Sequence, residues 1–187
     1  MPTPSSSTNK STKRSASAGK SKSTAKTASS STSRSKDAIA VLKADHRQVE
    51  KLFGQFEKAK DESQKAQLAE QICMELRLHT QIEEEIFYPT SRDFLQDDDI
   101  VNEAIVEHQA AKDLIDQIEG MSASDEMYEA KVSVLKEMIE HHVEEEEKQF
   151  FPQVQKTEMD LRSIGEQLAE RKEELMGEMG GGLSATH

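Results

Sequence analysis

Two stretches of this sequence carry the same spaced pattern, and that repetition constrains the fold more than any other feature. His79-Thr-Gln-Ile-Glu83 runs on to Phe87-Tyr88-Pro89, and His142-Val-Glu-Glu-Glu146 runs on to Phe150-Phe151-Pro152, so each His-x3-Glu lies ten residues before a proline. A second pair of segments aligns on His46 and His108, matching Asp45 with Glu107, Leu52 with Leu114 and Phe53 with Ile115. The His46 to His79 and His108 to His142 separations are 33 and 34 residues. The chain therefore reads as two copies of one helical hairpin, which together make a four-helix bundle.

The surrounding pattern supports helices throughout. Apolar positions recur at helical spacing in Ile39, Leu42, Val49, Leu52, Phe53 and Phe56, with Asp37 placed as N-cap. After a polar connection around Lys60 to Gln64, Leu68, Ile72, Leu76 and Ile86 define a second helix, expected to stop at Pro89. Asp97, Asp98 and Asp99 open a third, with Val101, Ala104, Ile105, Ala111, Leu114, Ile115 and Ile118 on its stripe and Gly120 at its end. Ser124 is placed to cap a fourth, with Tyr128, Val132, Leu135 and Ile139 in line and a stop at Pro152. A more polar amphipathic segment from about residue 157 to 176, with Leu161, Ile164, Leu168 and Leu175, is expected to pack outside the bundle, and Gly180, Gly181 and Gly182 read as a frayed tail.

Residues four apart on an α-helix share a face and lie about 6 Å apart along the axis. One helix can thus offer an imidazole to one metal and a carboxylate that reaches between two. Two such helices, with one imidazole from each of the others, supply four nitrogen donors and two carboxylates: His46, His79, Glu83, His108, His142 and Glu146. That donor set, without thiolate, suits iron or manganese. Any one of these histidines alone would read as an ordinary core residue, and most of Glu83 to Glu85 and Glu144 to Glu147 as solvated helix faces. Without metal, six ionisable groups converging on one core would cost a few kcal/mol each, and cations offset that cost. His141 points about 100° away from His142, and His187 lies in the glycine-rich tail. Glu50 and Glu75, each one turn from a histidine, are candidates to support the ligands from outside or to sit in solvent.

Charge divides the chain. Residues 1–36 hold eight Lys and Arg and no acid, whereas the whole chain carries −12, so the remainder carries a formal −20. That first segment has no Leu, Ile, Val, Phe or Tyr and is expected to be a disordered basic tail, permanent rather than a cleaved transit peptide because it lacks an amphipathic face. It suits salt-sensitive, sequence-independent contact with nucleic acid or another anionic surface, or it rests against the acidic bundle. No apolar run approaches the ~18 residues needed to cross a bilayer, no secretory signal is evident, and Cys73 stands alone as a small buried residue. A soluble cytoplasmic protein is the expectation.

Asp45-His46-Arg47 with Leu52-Phe53, His79-x3-Glu83-Glu84 with Phe87-Tyr88-Pro89, Glu107-His108, and His142-x3-Glu146-Glu147 with Phe150-Phe151-Pro152 together resemble the hemerythrin-like HHE cation-binding domain. The resemblance spans residues 37–155, leaving 1–36 as the tail and 156–187 as an accessory helix and flexible C-terminus. It implies an all-α, up-down-up-down bundle binding two iron ions, rather than manganese or zinc, bridged by the carboxylates and an oxo or hydroxo group. Oxygen-carrying members use a fifth histidine one turn from another on the third helix, where this chain has Ala104 and Lys112. The set is closer to four-histidine, two-carboxylate members such as the iron-sulfur-repair proteins, whose N-terminal cysteine-bearing domain is missing here. The expected function is binding or sensing of oxygen, nitric oxide or peroxide, or iron handling. The alternatives are turnover of peroxide or nitric oxide at the same irons, and a metal-free acidic interaction module. No residue is assigned as catalytic, since no nucleophile, phosphate loop or substrate pocket is evident.

Overall fold

In a computed structural model, the structure describes residues 36–96 and 98–182. Among these residues every element is helical: α1 (Ala38–Phe56), α2 (Glu62–Ile82), π1 (Glu83–Phe87), α3 (Tyr88–Arg92), α4 (Asp99–Glu119), α5 (Tyr128–Glu145), π2 (Glu146–Phe150), α6 (Phe151–Val154) and α7 (Leu161–Gly182). Helices α1, α2, α4 and α5 form the bundle, with α1 packed on α2, α4 on α5, and both hairpins in contact. Short connections make successive members antiparallel. The basic tail expected over residues 1–36 lies almost wholly outside the described residues, as do Asp97 and His187.

Local signals set the helix starts. Asp37 Oδ1 accepts from the Ala40 N–H at 2.8 Å, as a cap should. Asp61 does the same for Gln64 at 2.9 Å, so α2 begins at Glu62, inside the stretch expected to be a connection. Helix α4 begins at Asp99, in the acidic run expected to open it, while Asp98 pairs with Arg92 at 3.0 Å. The expected Ser124 cap is not used: Ser124 sits in a turn before α5, hydrogen-bonded to Ser122 at 2.8 Å. On α4, Ile105 faces outward rather than into the core.

The prolines do not stop their helices. A proline within an α-helix clashes with the carbonyl four residues back and leaves it without a donor. Here a five-residue π turn precedes each proline, with the Tyr88 N–H reaching the Glu83 carbonyl and the Phe151 N–H reaching that of Glu146. The extra residue moves the chain past the obstruction, and Pro89 and Pro152 fall in the first turn of α3 and α6, where no N–H is needed.

The core has two apolar regions. One gathers Phe53, Phe56, Ile72, Leu76, Ile115 and Leu135; the other gathers Leu42, Leu78, Ile82, Phe87, Phe150 and Leu168. Helix α7 covers α1 and α2 through buried Ile164, Leu168 and Leu175, outside the four-helix core as expected but continuing through Gly182 rather than fraying. At Gly165 a Cβ would stand 2.4 Å from the Lys36 carbonyl oxygen, so this helix crosses the entry to α1 at backbone distance. Gly→Ala inside a helix ordinarily adds up to about 1 kcal/mol of stability. Gly165→Ala is expected to do the opposite, lowering stability by about 1–3 kcal/mol through overpacking, as read by denaturant unfolding.

Candidate metal centre

All six residues singled out from the repeat are buried and meet between the two apolar regions, with Glu83 fully inaccessible and His108 at 1% exposure. His46 Nε2 and His79 Nε2 lie 3.2 Å apart, and His108 Nε2 and His142 Nε2 lie 3.1 Å apart. Glu83 Oε2 stands between the pairs, 3.1 Å from His79 Nε2 and 3.4 Å from His108 Nε2. Glu146 Oε2 mirrors it, 3.3 Å from His46 and 3.7 Å from His142. Each carboxylate thus links one imidazole pair to the other.

The opposite edges of the rings determine what these atoms are. His46 Nδ1 meets Glu147 at 2.9 Å, His108 Nδ1 meets Glu84 at 3.0 Å, and His142 Nδ1 meets Glu107 at 2.8 Å. A carboxylate accepts, so the proton belongs on Nδ1 and the lone pair on Nε2 points inward. Lone pairs at 3.1–3.2 Å repel each other unless a cation or proton lies between them. Two nitrogens bound to one metal at about 2.1 Å, at right angles, would stand about 3.0 Å apart. Glu83 Oε1 and Glu146 Oε2 are also buried without a hydrogen-bond partner among the described residues. The donor set and its orphaned atoms therefore fit metal cations; His46, His79, Glu83 and Glu146 form one cluster able to hold an ion, and Glu83, His108 and His142 a second.

Electrostatics agree. Burial, followed by the charge of Glu146, holds the Glu83 carboxyl well above the usual range. Burial acts on Glu146 in the same direction, but His142, His46 and His79 outweigh it and bring that group to about 2. The two linking carboxyls are thus pushed in opposite directions, Glu83 up and Glu146 down. Burial lowers His79 to about 4, leaving it neutral as a ligand must be. Tyr88 is raised by burial and by Glu83, so it remains a phenol.

Sequence reasoning missed the function of four carboxylates and one phenol. Asp45, Glu84, Glu107 and Glu147 each neighbour one of the six in sequence yet face an imidazole of a different helix, the nearest oxygen of Asp45 being 3.8 Å from His79 Nδ1. They stood in the repeated Asp/Glu-His and His-x3-Glu-Glu patterns, which was the available signal. Glu75 and Glu50 do not fill this role; Glu75 pairs with Lys172 and Glu50 with Arg47. Tyr88 Oη lies 3.1 Å from Glu146, 3.2 Å from His108 Nε2 and 3.5 Å from Glu83. Residues five apart on an α-helix stand about 140° from each other; the π turn brings Tyr88 back over Glu83. His141 is exposed beside Glu107 and Glu145, as its helical angle required. Where a fifth histidine was sought, Ala104 is buried and Lys112 binds Glu84 at 2.6 Å.

A small cavity of about 10 Å³ adjoins all four imidazoles, with Val49, Leu76, Ile139 and Val143 among its lining residues. A solvent-open cleft of about 380 Å³ between α1 and α5 shares His46, Ile139 and Val143 with it.

Comparison with known proteins is consistent with this geometry. Residues 37–154 match the family described as hemerythrin HHE cation binding domain. A solved hemerythrin HHE cation binding domain-containing protein from Mycobacterium kansasii is 25% identical, with a TM-score of 0.68 over 81% of this chain and 94% of that one. A DNA nickase from Nostoc sp. is 31% identical over 111 residues, 59% of this chain but 31% of the relative's own length. No described helix is long and apolar enough to cross a membrane.

The raised Glu83 carboxyl predicts a signature of the cation-free chain. A raised carboxyl pKa contributes stability below the ordinary carboxylate range, about pH 4.3, that is lost as pH rises; a lowered imidazole contributes stability above about pH 6.5 that is lost as pH falls towards the value for His79. Glu83→Gln mimics the protonated form at every pH. In chelator at pH 8 it is expected to raise stability by about 1–2 kcal/mol over the unsubstituted chain. Added divalent cation should raise the melting temperature of the unsubstituted chain and leave that of Glu83→Gln almost unmoved.

Proposed function

The chain belongs to the hemerythrin HHE cation-binding domain family, and from that premise we propose that it is a non-haem di-iron protein that binds or senses oxygen, nitric oxide or peroxide, or handles iron. The observation that carries this reading is the inward convergence of four imidazole Nε2 atoms across two linking carboxylates. His46 and His79 would hold one iron, His108 and His142 the other, and Glu83 and Glu146 would serve both. Nitrogen and carboxylate donors without thiolate favour iron over zinc, with manganese as the nearer competitor.

Bound iron would supply a Lewis-acidic, redox-active centre. The chain's own residues define what can reach it. Val49, Leu76, Ile139 and Val143 line a cavity of about 10 Å³, which suits a small uncharged ligand and excludes bulky ones. Tyr88 offers a phenol proton at the opposite, polar side, where its oxygen is 3.1 Å from Glu146. The absence of a fifth histidine beside His108 argues against stable oxygen carriage and for an open metal position.

Anaerobically purified protein should contain about two irons per chain and show a near-ultraviolet charge-transfer band that changes on adding oxygen or nitric oxide. His142→Ala and Glu146→Ala are expected to lose iron, and full retention in both would reject this ligand assignment. Stoichiometric reaction supports binding or sensing; repeated turnover of peroxide or nitric oxide would move the protein into the enzyme class. Melting unchanged by chelation would favour a metal-free interaction module.

A second reading concerns the segment 1–36, whose eight cations and absence of acids suit contact with nucleic-acid phosphates. Retention on DNA should weaken with salt and disappear on deleting residues 1–36. Undiminished retention of the deleted chain at low salt would remove the idea.

A further inference from the structure

Helix α7 lies beyond the matched family segment 37–154, yet it reaches the outer layer of the metal centre. Lys172 Nζ lies 2.8 Å from Asp45 Oδ1 and 3.2 Å from Glu75 Oε2, with all three side chains largely buried. The other oxygen of Asp45 faces His79 Nδ1 across 3.8 Å. Both atoms are buried, and neither has a hydrogen-bond partner among the described residues.

The internal repeat shows that this gap is particular to one half of the centre. Glu107, the counterpart of Asp45, is one methylene longer and closes on His142 Nδ1 at 2.8 Å. His46 and His108 are likewise held, at 2.9 and 3.0 Å. His79 alone among the four imidazoles lacks a carboxylate within hydrogen-bonding distance of Nδ1; the carboxylate facing it is the shorter Asp45, whose other oxygen lies 2.8 Å from Lys172 of α7. Support on Nδ1 strengthens an imidazole as a ligand, and losing such a partner typically costs 10- to 100-fold in metal affinity.

We propose that Lys172 is a positioning residue through which α7 weakens cation binding at the His46/His79 position, so that docking of α7 and filling of that position oppose each other. A cation on His79 Nε2 makes its Nδ1–H a stronger donor and draws Asp45 across the 3.8 Å gap, away from Lys172. Reciprocity then requires that filling this position loosen α7. The inference rests on the reading of the centre as a two-cation site.

The test uses the full chain, stripped of metal and titrated with Co(II), whose visible bands report each step. Lys172→Met is expected to tighten one of the two binding steps by about 10-fold and leave the other unchanged, with Lys172→Arg restoring the original affinity. Asp45→Glu, which copies the other half and keeps the lysine, should tighten the same step, and it preserves the test should Lys172→Met fold poorly. Hydrogen exchange of residues 161–176 should rise in the unsubstituted chain when Co(II) is added, while exchange in α2 and α5 falls. Equal or weaker binding in both Lys172→Met and Asp45→Glu, or α7 exchange that falls on Co(II) addition, would overturn the proposal. No Co(II) binding by the unsubstituted chain would instead overturn the two-cation reading on which it rests.

Discussion

The centre depends on one constraint: four imidazole Nε2 atoms and two carboxylates are turned towards one another in a buried core. Burying an ionisable group is costly unless it is paired, and six such groups cluster here. The chain limits that cost by favouring the neutral forms of Glu83 and His79 and spreading the Glu146 charge over three imidazoles. The apolar regions on either side supply the stability that lets such a centre persist. Leu76 and Ile115 on one side, and Phe87 and Phe150 on the other, are almost wholly buried.

Much of this was legible in the sequence because the chemistry repeats. A lone His on an apolar stripe says little, but His46, His79, His108 and His142 at matched intervals with Glu83 and Glu146 specify a shared face on four helices. The structure brings those six together. The elements read less well were those where a local rule was overridden by a feature with no one-dimensional signature. Pro89 and Pro152 are helix stops by ordinary rules, yet the π turns before them carry the chain through. Ser124 is a good cap by type, but Ser122 takes its hydroxyl. The outer carboxylates were written in the repeat, but which imidazole each one faces depends on helix pairing, and that could not be read along one strand of sequence.

The π turns connect the fold to the site. Each begins at a linking glutamate and ends just before the residue that caps the centre. A straight α-helix would have turned Tyr88 and Phe151 away from their glutamates. With the extra residue, Phe151 stacks on His46 with ring centroids 5.9 Å apart, and Tyr88 lies against His108 at 5.3 Å. The two halves are therefore alike in backbone and ligands but differ in one hydroxyl. That hydroxyl is the donor closest to both linking carboxylates, so the repeat sets up the centre and Tyr88 breaks its symmetry.

A second asymmetry lies one layer further out. Three of the four outer carboxylates are themselves held by permanent cations: Glu84 by Lys112, Glu147 by Arg47 and Asp45 by Lys172. Two of those cations come from bundle helices, and the third comes from α7. Glu107 differs, having His141 at 3.7 Å as its outer neighbour. A Lys or Arg on a carboxylate reduces the negative charge that the carboxylate offers to its imidazole, so these outer pairs bear on the basicity of the buried imidazoles. Ion pairs that would count for little as stabilising contacts on a helix surface gain their importance here from what the carboxylate touches on its other side.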